Sequence, residues 1–161
     1  MSRKVELVFA AFFAWFVYGW LTFDIPEAFG LDYNMTAWYA REIDPLFRDP
    51  PSWLKIFGWY EVAYGPFFAA ISYGFFRRKS WLPYVLLPLS GMMVVMVGTY
   101  FVEELTGDVQ PLNWTMFYVL NSAHLVVPVL AALWVIARMR KTATVSASRP
   151  AVPSAVPSAT P

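Results

Sequence analysis

Four long apolar stretches follow one another along the chain, and charged residues collect between them. The stretches cover residues 7–23, 56–76, 81–102 and 111–137. Each approaches or exceeds the roughly 20 helical residues that cross the hydrocarbon layer of a bilayer. Inside lipid only helices or closed barrels satisfy their own backbone groups. The pattern predicts an all-α membrane protein, a bundle of four transmembrane helices at about 5–24, 54–77, 81–104 and 112–138.

The first stretch also has an alternative interpretation as a secretory signal peptide. Arg3 and Lys4 precede an apolar run, as they do in such leaders. No small-x-small cleavage site follows before Asp24 and Pro26, which argues for a retained helix.

Composition excludes several classes of protein. Hydrophobic residues make up 58% of the chain and charged residues 14%, which is too apolar for a soluble domain of this size. A formal net charge of +1 gives no field for nucleic acid, so no nucleic-acid partner is expected. Without cysteine and with one histidine, neither a disulfide framework nor a thiolate or histidine-rich metal site is expected, and no cofactor is predicted.

Basic residues indicate the orientation of the bundle. An even number of crossings places both termini and the second loop on one side, and basic residues concentrate there. That side has Arg3, Lys4, Arg77, Arg78, Lys79, Arg138, Arg140, Lys141 and Arg149, against Arg41, Arg48 and Lys55 on the other. The positive-inside rule then predicts cytoplasmic termini. The membrane would be the endoplasmic reticulum in a eukaryote or the plasma membrane in a bacterium, and a homodimer through helix faces is left open.

The chain changes character near residue 142. Residues 142–161 are rich in Ala, Pro and Ser and include the near-repeat AVPSAVPSATP. Such a segment buries too little apolar surface to offset its ordering entropy. We expect a membrane domain at 1–141 followed by a disordered cytoplasmic tail.

Two acidic residues stand within or at the end of predicted spans. An ionisable group inside a span costs roughly 2.5 to 3.5 kcal/mol on insertion scales, so it needs a partner or a function. Glu61 lies in the second helix, on one face with Tyr64 and Gly65. Asp24 ends the first helix, one turn after Trp20, and marking the membrane surface is its alternative role.

The third and fourth helices carry further polar groups. Glu103 and Glu104 close the third helix, and Tyr100 shares the face of Glu103, with interfacial solvation as the alternative. Asn121 and His124 lie three residues apart on one face of the fourth helix. They favour a polar-lined cavity over simple helix-to-helix hydrogen bonding.

Antiparallel packing brings these groups to comparable depth in the outer half of the bilayer. We therefore expect an outward-facing pocket formed by acids, amide and imidazole. The chain's 8 Trp, 9 Tyr and 14 Phe supply ring faces for an apolar ligand or a cationic centre.

Residues 38–68, WYAREIDPLFRDPPSWLKIFGWYEVAYGPFF, resemble the EXPERA family, which has a sigma-2-type receptor branch and an emopamil-binding-protein branch of sterol isomerases. The resemblance covers about residues 5–138. It implies that Asp24 and Glu61 match the acidic pair that contacts cationic amphiphilic ligands, and that Asp44 matches a structural acid of the first loop.

The fourth helix, with NSAHLVVP, resembles the isomerase branch, as does the pair Gly65 and Pro66. Asn121 fits that branch, whereas His124 stands where a Trp is expected. A His expected one turn before Glu61 is replaced by Phe57, which is a departure from the isomerase pattern. Pro66 and Pro128, each inside a predicted helix, are assigned structural roles.

Two functions follow, and the first is favoured. The protein would bind a sterol, isoprenoid or cationic amphiphile in an intramembrane cavity lined by Asp24, Glu61, Tyr64, Tyr100, Asn121, His124 and Trp20. The alternative is an isomerase or cyclase on a sterol or terpenoid, with Glu61 as proton donor and aromatic rings and Asn121 stabilising a carbocation. Asp24 would share a proton with Glu61, and Glu103, Glu104 or His124 would accept a different proton from the substrate. A scaffold role, with polar groups only joining helices, is a third possibility.

Overall fold

A computed structural model describes residues 2–31 and 35–147, and the chain is helical throughout most of this part. The long helices are α1 (Arg3–Gly19), α4 (Ser52–Arg77), α5 (Leu82–Thr106) and α6 (Trp114–Ala147). Short elements lie between α1 and α4: a π-helical turn (Trp20–Asp24), α2 (Ile25–Phe29), α3 (Thr36–Glu42) and a 3-10 turn (Pro45–Arg48).

Three helical segments of the described chain are long and apolar enough to cross a membrane. They are Arg3–Phe29, Leu82–Thr106 and Trp114–Lys141. The protein is therefore an integral membrane protein in composition and fold. Helix α4 has 26 residues, which is long enough, but it is not among these three segments. That α4 also crosses the bilayer stays a prediction.

The four long helices form a closed ring, with α1 against α4, α4 against α5, α5 against α6 and α6 against α1. Aromatic side chains fill the centre, where Phe13 contacts Phe16, Phe68 and Phe75 at ring-centroid distances of 5.5 to 6.3 Å. Phe13 and Phe75 are almost completely buried. Because lipid provides no hydrophobic drive between helices, this close ring packing contributes much of the cohesion.

The segment between α1 and α4 closes one end of the bundle. Tyr39 and Ile43 are buried there against Tyr100 of α5 and Phe117 of α6. The backbone N–H of Leu112 donates to the Ile43 carbonyl at 2.8 Å, which fixes the start of the α6 segment to this connection. The connection therefore positions side chains of the first loop over the ends of α5 and α6.

Two helix ends differ from the sequence-based boundaries. The first helix was expected at about 5–24, whereas α1 ends at Gly19 and the chain continues as the π-helical turn. The tail was expected to begin at residue 142, but α6 continues to Ala147, and the Thr144 hydroxyl donates to the Arg140 carbonyl at 3.0 Å. Residues 142–149 contain no proline that would stop the helix. Residues 148–161, the rest of the predicted tail, lie outside the described residues.

Candidate functional site

Asp24 and Glu61 come together between the first and second long helices. Asp24 ends the π-helical turn, and Glu61 lies in the third turn of α4. Both side chains are partly buried, and the two carboxyl groups are close enough to repel each other when both are ionised. The structure thus places the two acids near each other, and their role as a ligand-binding pair stays a prediction.

The π-helical turn sets the direction in which Asp24 points. The backbone N–H of Ile25 donates to the Trp20 carbonyl, five residues earlier, instead of to a carbonyl four residues earlier. One extra residue in the turn rotates the residues that follow it relative to a regular α-helix. The Asp24 side chain therefore points in a different direction from the one it would have if α1 continued as a regular α-helix.

Trp20 binds α4 at its proline. Pro66 has no backbone N–H, so the Val62 carbonyl lacks its usual helical donor. The Trp20 indole N–H donates to this carbonyl at 3.2 Å. The indole ring lies directly on the backbone of Gly65, where any Cβ would overlap it. Trp20, Gly65 and Pro66 therefore act together as a structural contact beside Glu61, one turn away.

Tyr64 joins α4 to α5. Its side chain is buried, its hydroxyl donates to the Met96 sulfur at 2.5 Å, and its ring stacks on Tyr60 with centroids 6.4 Å apart. Because it lies three residues after Glu61, it shares that face of the helix. Tyr64 thus forms a wall of the site, with its hydroxyl directed at a neighbouring helix.

A chain of hydrogen bonds links α6 to the first loop. The Asn121 amide nitrogen donates to the Tyr39 hydroxyl at 2.7 Å, and the Tyr39 and Tyr100 hydroxyls are 3.1 Å apart. The Tyr100 hydroxyl donates to a carboxyl oxygen of Asp44. Since Tyr39 accepts from Asn121 and Tyr100 donates to Asp44, Tyr39 donates to Tyr100. We call Asn121, Tyr39, Tyr100 and Asp44 the tyrosine network.

Asp44 is the acceptor end of the tyrosine network and is completely buried. Its other carboxyl oxygen accepts the backbone N–H of Leu46 at 2.9 Å and so caps the 3-10 turn. Burial raises the pKa of Asp44, whereas the hydrogen bonds from Tyr100 and Leu46 act in the opposite direction. Burial also raises the pKa of Tyr39, which keeps its hydroxyl protonated. These contacts join the first loop to α5, and the structural role assigned to Asp44 stays a prediction.

Glu104, and not Glu103, joins this part of the site. Glu104 is completely buried, and within the described residues no donor reaches either of its carboxyl oxygens. Its carboxyl group faces that of Asp44, so the two can form a hydrogen bond when one holds a proton. Glu103 is only half-buried and lies beside Gly107. Glu103 does not face Asp44, because adjacent residues of a helix point about 100° apart, and its proton-accepting role stays a prediction.

Asn121 and His124 share a helix face but have separate surroundings. Asn121 also donates to the Phe117 carbonyl at 2.8 Å, so its amide nitrogen makes both of these bonds. The His124 ring stacks on Phe16 of α1, with centroids 4.4 Å apart, and its Nδ1–H donates to the Leu120 carbonyl at 3.1 Å. Pro128, a predicted structural residue, is buried, and its carbonyl accepts the Ser90 hydroxyl at 3.1 Å. Ser90 and Pro128 thereby connect α5 to α6.

Most of the predicted residues fall into two neighbouring groups: Asp24, Glu61, Trp20 and Tyr64 form one, and the tyrosine network contains the other. Glu103 and His124 belong to neither group. Phe23 connects the two groups. It directly precedes Asp24 in the chain, and its ring lies edge-on to the Tyr39 ring with centroids 6.5 Å apart. Sequence reasoning missed Tyr39 and the Trp20 bond to Val62. The available signal for the bond to Val62 was Pro66, which leaves the Val62 carbonyl without its helical donor. Two surface grooves of the described chain lie elsewhere, along α1 and α4.

Comparisons with known proteins match most of the region that contains the site. The model of the EBP family, described as EXPERA (EXPanded EBP superfamily), matches residues 33–135. The sigma intracellular receptor 2 of Homo sapiens and that of Macaca fascicularis are each 31% identical over 78 residues, 44% of this chain and 44% of each relative. The match therefore spans less than half the length of these relatives. No solved structure matches the chain.

Proposed function

The chain belongs to the EXPERA family, and from this we propose that it binds a sterol, isoprenoid or cationic amphiphilic ligand inside the membrane, against Asp24 and Glu61. The observation that carries the proposal is the pairing of these two carboxyl groups between α1 and α4. Two acidic side chains inside an apolar bundle reduce its stability, so their presence favours a role in ligand binding or catalysis.

The pair suits a ligand with an apolar body and a polar or cationic end. Two nearby carboxyl groups in a low dielectric cannot both stay ionised cheaply, so they share one proton. The remaining negative charge pairs with an ammonium group or accepts a hydrogen bond from a hydroxyl. The rings of Trp20 and Tyr64 provide apolar and cation-binding faces beside it.

The tyrosine network supports the proposal by ordering the neighbouring wall. Asn121 of α6, Tyr39 of the connection, Tyr100 of α5 and Asp44 are joined by successive hydrogen bonds. This arrangement holds the α1–α4 connection against α5 and α6. Because Phe23 contacts Tyr39, the same bonds restrain the segment that carries Asp24. A preorganised wall lowers the ordering cost of binding.

The test is ligand binding to the full chain in lipid nanodiscs, with a radiolabelled sterol and a radiolabelled cationic amphiphile as probes. We expect saturable binding that Glu61→Gln and Asp24→Asn each reduce by about tenfold or more for the amphiphile, since a charge-assisted bond contributes about 1.5 to 3 kcal/mol. Glu42→Gln is the matched control, because Glu42 is exposed and pairs with Arg41 at 2.8 Å. Equal binding by all three variants would refute the role of the pair.

The same pair favours a second function, an isomerase acting on a sterol or terpenoid. One carboxyl group that holds the proton can donate it to an alkene while a carboxylate accepts another. Analysing the bound sterol for a rearranged double bond separates the two functions. Product that Glu61→Gln abolishes supports the isomerase, and recovery of unchanged sterol supports binding alone. Asn121 already donates to Tyr39 and Phe117, so its amide nitrogen is directed away from such a reaction.

A further inference from the structure

Three arginines converge on one buried carboxylate at the opposite end of the bundle. Glu6 of α1 is 3% exposed and pairs with Arg78 at 2.5 Å, Arg138 at 3.0 Å and Arg3 at 3.5 Å. These residues belong to α1, the end of α4 and α6, so the carboxylate joins three helices. We call these four residues the Glu6 cluster.

The Glu6 cluster has more positive charge than its carboxylate neutralises. Three guanidinium groups and one carboxylate leave a formal charge of +2. The arginine side chains are 40%, 48% and 42% exposed, so each also presents surface outward. A guanidinium carries five N–H donors in a planar fork that fits phosphate oxygens well. The exposed part of the cluster is thus suited to an anion.

The Glu6 cluster also lies at the ends of two candidate membrane spans, where lipid phosphates are expected. Arg3 begins one candidate span, and Arg138 lies in the last turn of another. The charge distribution along the chain predicts that this end faces the cytoplasm, where membranes carry anionic lipid.

An apolar groove runs from this cluster along the surface between α1 and α4. It has a volume of about 360 Å³. Its lining residues are Ala14, Val17, Ala69, Ser72, Tyr73 and Phe76. Two cations stand over its rings: the Arg3 guanidinium lies 5.6 Å from the Phe76 ring, and the Lys79 ammonium lies 5.5 Å from the Tyr73 ring. Arg3 and Lys79 therefore place positive charge at one end of the groove, and the small side chains of Ala14 and Ala69 leave space along it.

We propose that the Glu6 cluster and this groove bind an anionic phospholipid, with its phosphate on Arg3, Arg78 and Lys79 and an acyl chain along the groove. The continuity of basic residues with an apolar groove selects a lipid over a free phosphate, which would use the cations alone. The bound lipid would bridge α1, α4 and the loop that follows α4.

Native mass spectrometry of the full chain in detergent tests this proposal. Phosphatidylglycerol is the probe, and phosphatidylcholine with the same acyl chains is the reference. We expect retained phosphatidylglycerol, little retained phosphatidylcholine and no displacement by inorganic phosphate at equal concentration. Equal retention of the two lipids overturns the proposal, and displacement by phosphate assigns the site to a free anion instead.

Variants test the two halves of the site separately. Arg78→Gln should weaken phosphatidylglycerol binding about fivefold, the effect of one cation near an anionic lipid, whereas Arg41→Gln at the other end should not. Ala69→Phe fills the groove and should also reduce retention. Ala11→Phe is its control, because Ala11 lies on the other groove, along α1. If each variant binds as its control does, the proposal is wrong.

Glu6→Gln separates lipid binding from a purely structural cluster. Removal of the carboxylate raises the formal charge of the cluster, so phosphatidylglycerol retention should rise severalfold even as the lipid-free protein loses thermal stability. A cluster that only joins helices would lose stability without any gain in lipid retention. A folded Glu6→Gln variant with unchanged or reduced phosphatidylglycerol retention would contradict the proposal. If Glu6→Gln does not fold, the comparison of Ala69→Phe with Ala11→Phe tests the proposal instead.

Discussion

The indole ring of Trp20 lies against the backbone of Gly65, and its N–H donates to the Val62 carbonyl at 3.2 Å. The contact exists because two neighbouring residues of α4 cooperate. Pro66 leaves the carbonyl without its helical donor, and Gly65 leaves room for the ring that replaces it. The bond holds the start of the π-helical turn, at whose other end Asp24 lies.

Gly65→Ala should therefore destabilise the protein although alanine favours helices. The added methyl group overlaps the indole, and such overpacking costs about 1 to 3 kcal/mol. Gly58→Ala is the matched control in the same helix, because nothing lies within 4 Å of a Cβ there. It should be neutral or stabilising by up to about 1 kcal/mol. Thermal unfolding in detergent compares the two, and equal stability would show that the indole moves aside freely.

A double-mutant cycle tests the bond between Trp20 and the Val62 carbonyl. Trp20→Phe removes the donor in the wild type and leaves the carbonyl unpaired. In Pro66→Ala the backbone N–H of residue 66 can bond to that carbonyl, so Trp20→Phe should cost about 1 kcal/mol less there. Pro88→Ala, in α5, should not change the cost of Trp20→Phe. Additive free energies of unfolding in both backgrounds would mean that the bond contributes nothing measurable.

Tyr100→Phe should break the tyrosine network at its centre. Asp44 loses a donor and Tyr39 loses its acceptor, both in buried surroundings. Leaving buried partners unsatisfied costs about 1 to 3 kcal/mol. Tyr84→Phe removes a hydroxyl from a residue that is 79% exposed and should have no effect. Chemical unfolding measures the difference, and matching midpoints would exclude a stabilising network.

The Asp44 carboxyl group gives a pH dependence with a definite sign. Its pKa in the folded protein is raised above the ordinary 3.8 by burial, so the folded chain binds the proton more tightly than the unfolded chain. Its contribution to stability is complete below the unfolded pKa and is lost as pH rises through the folded pKa. The wild type should therefore gain stability relative to Asp44→Asn as the pH is lowered.

Free energies of unfolding measured between about pH 4 and pH 8 for both proteins check this sign. Gly58→Ala, which changes no titrating group, should keep the wild-type pH profile. If the wild type instead gained stability relative to Asp44→Asn as the pH increased, the ionised form of Asp44 would be the favoured buried form, contrary to our expectation.

The acid pair could be proposed from the sequence because charged residues are few within its apolar stretches. Asp24 and Glu61 needed only the helix count and an antiparallel arrangement to be placed together. The choice between Glu103 and Glu104 needed the rotation of α5 about its own axis, which an almost uniformly apolar helix does not reveal. Tyr39 belongs to a loop, whose tertiary contacts have no periodic signal. The bond from Trp20 to α4 depends on the π-helical turn, which no pattern in the sequence indicates.

The buried pair of Asp44 and Glu104 leads to a prediction that distinguishes the two adjacent glutamates. Glu104 is completely buried and faces a second carboxyl group, so one of the two must hold a proton or they repel. Glu104→Gln supplies an amide donor to Asp44 without taking up a proton. It should stabilise the protein near neutral pH by about 1 kcal/mol, the net value of one hydrogen bond.

Glu103→Gln is the control for this change, because the Glu103 side chain is only half-buried and lies beside Gly107. It should leave the free energy of unfolding within about 0.5 kcal/mol of the wild type. Thermal and chemical unfolding at neutral pH compare the two amide variants. A loss of stability confined to Glu104→Gln would mean that the Glu104 carboxylate is ionised and held by a cationic or donor group. The carboxyl–carboxyl contact would then have to be discarded as the source of order at this end of the bundle.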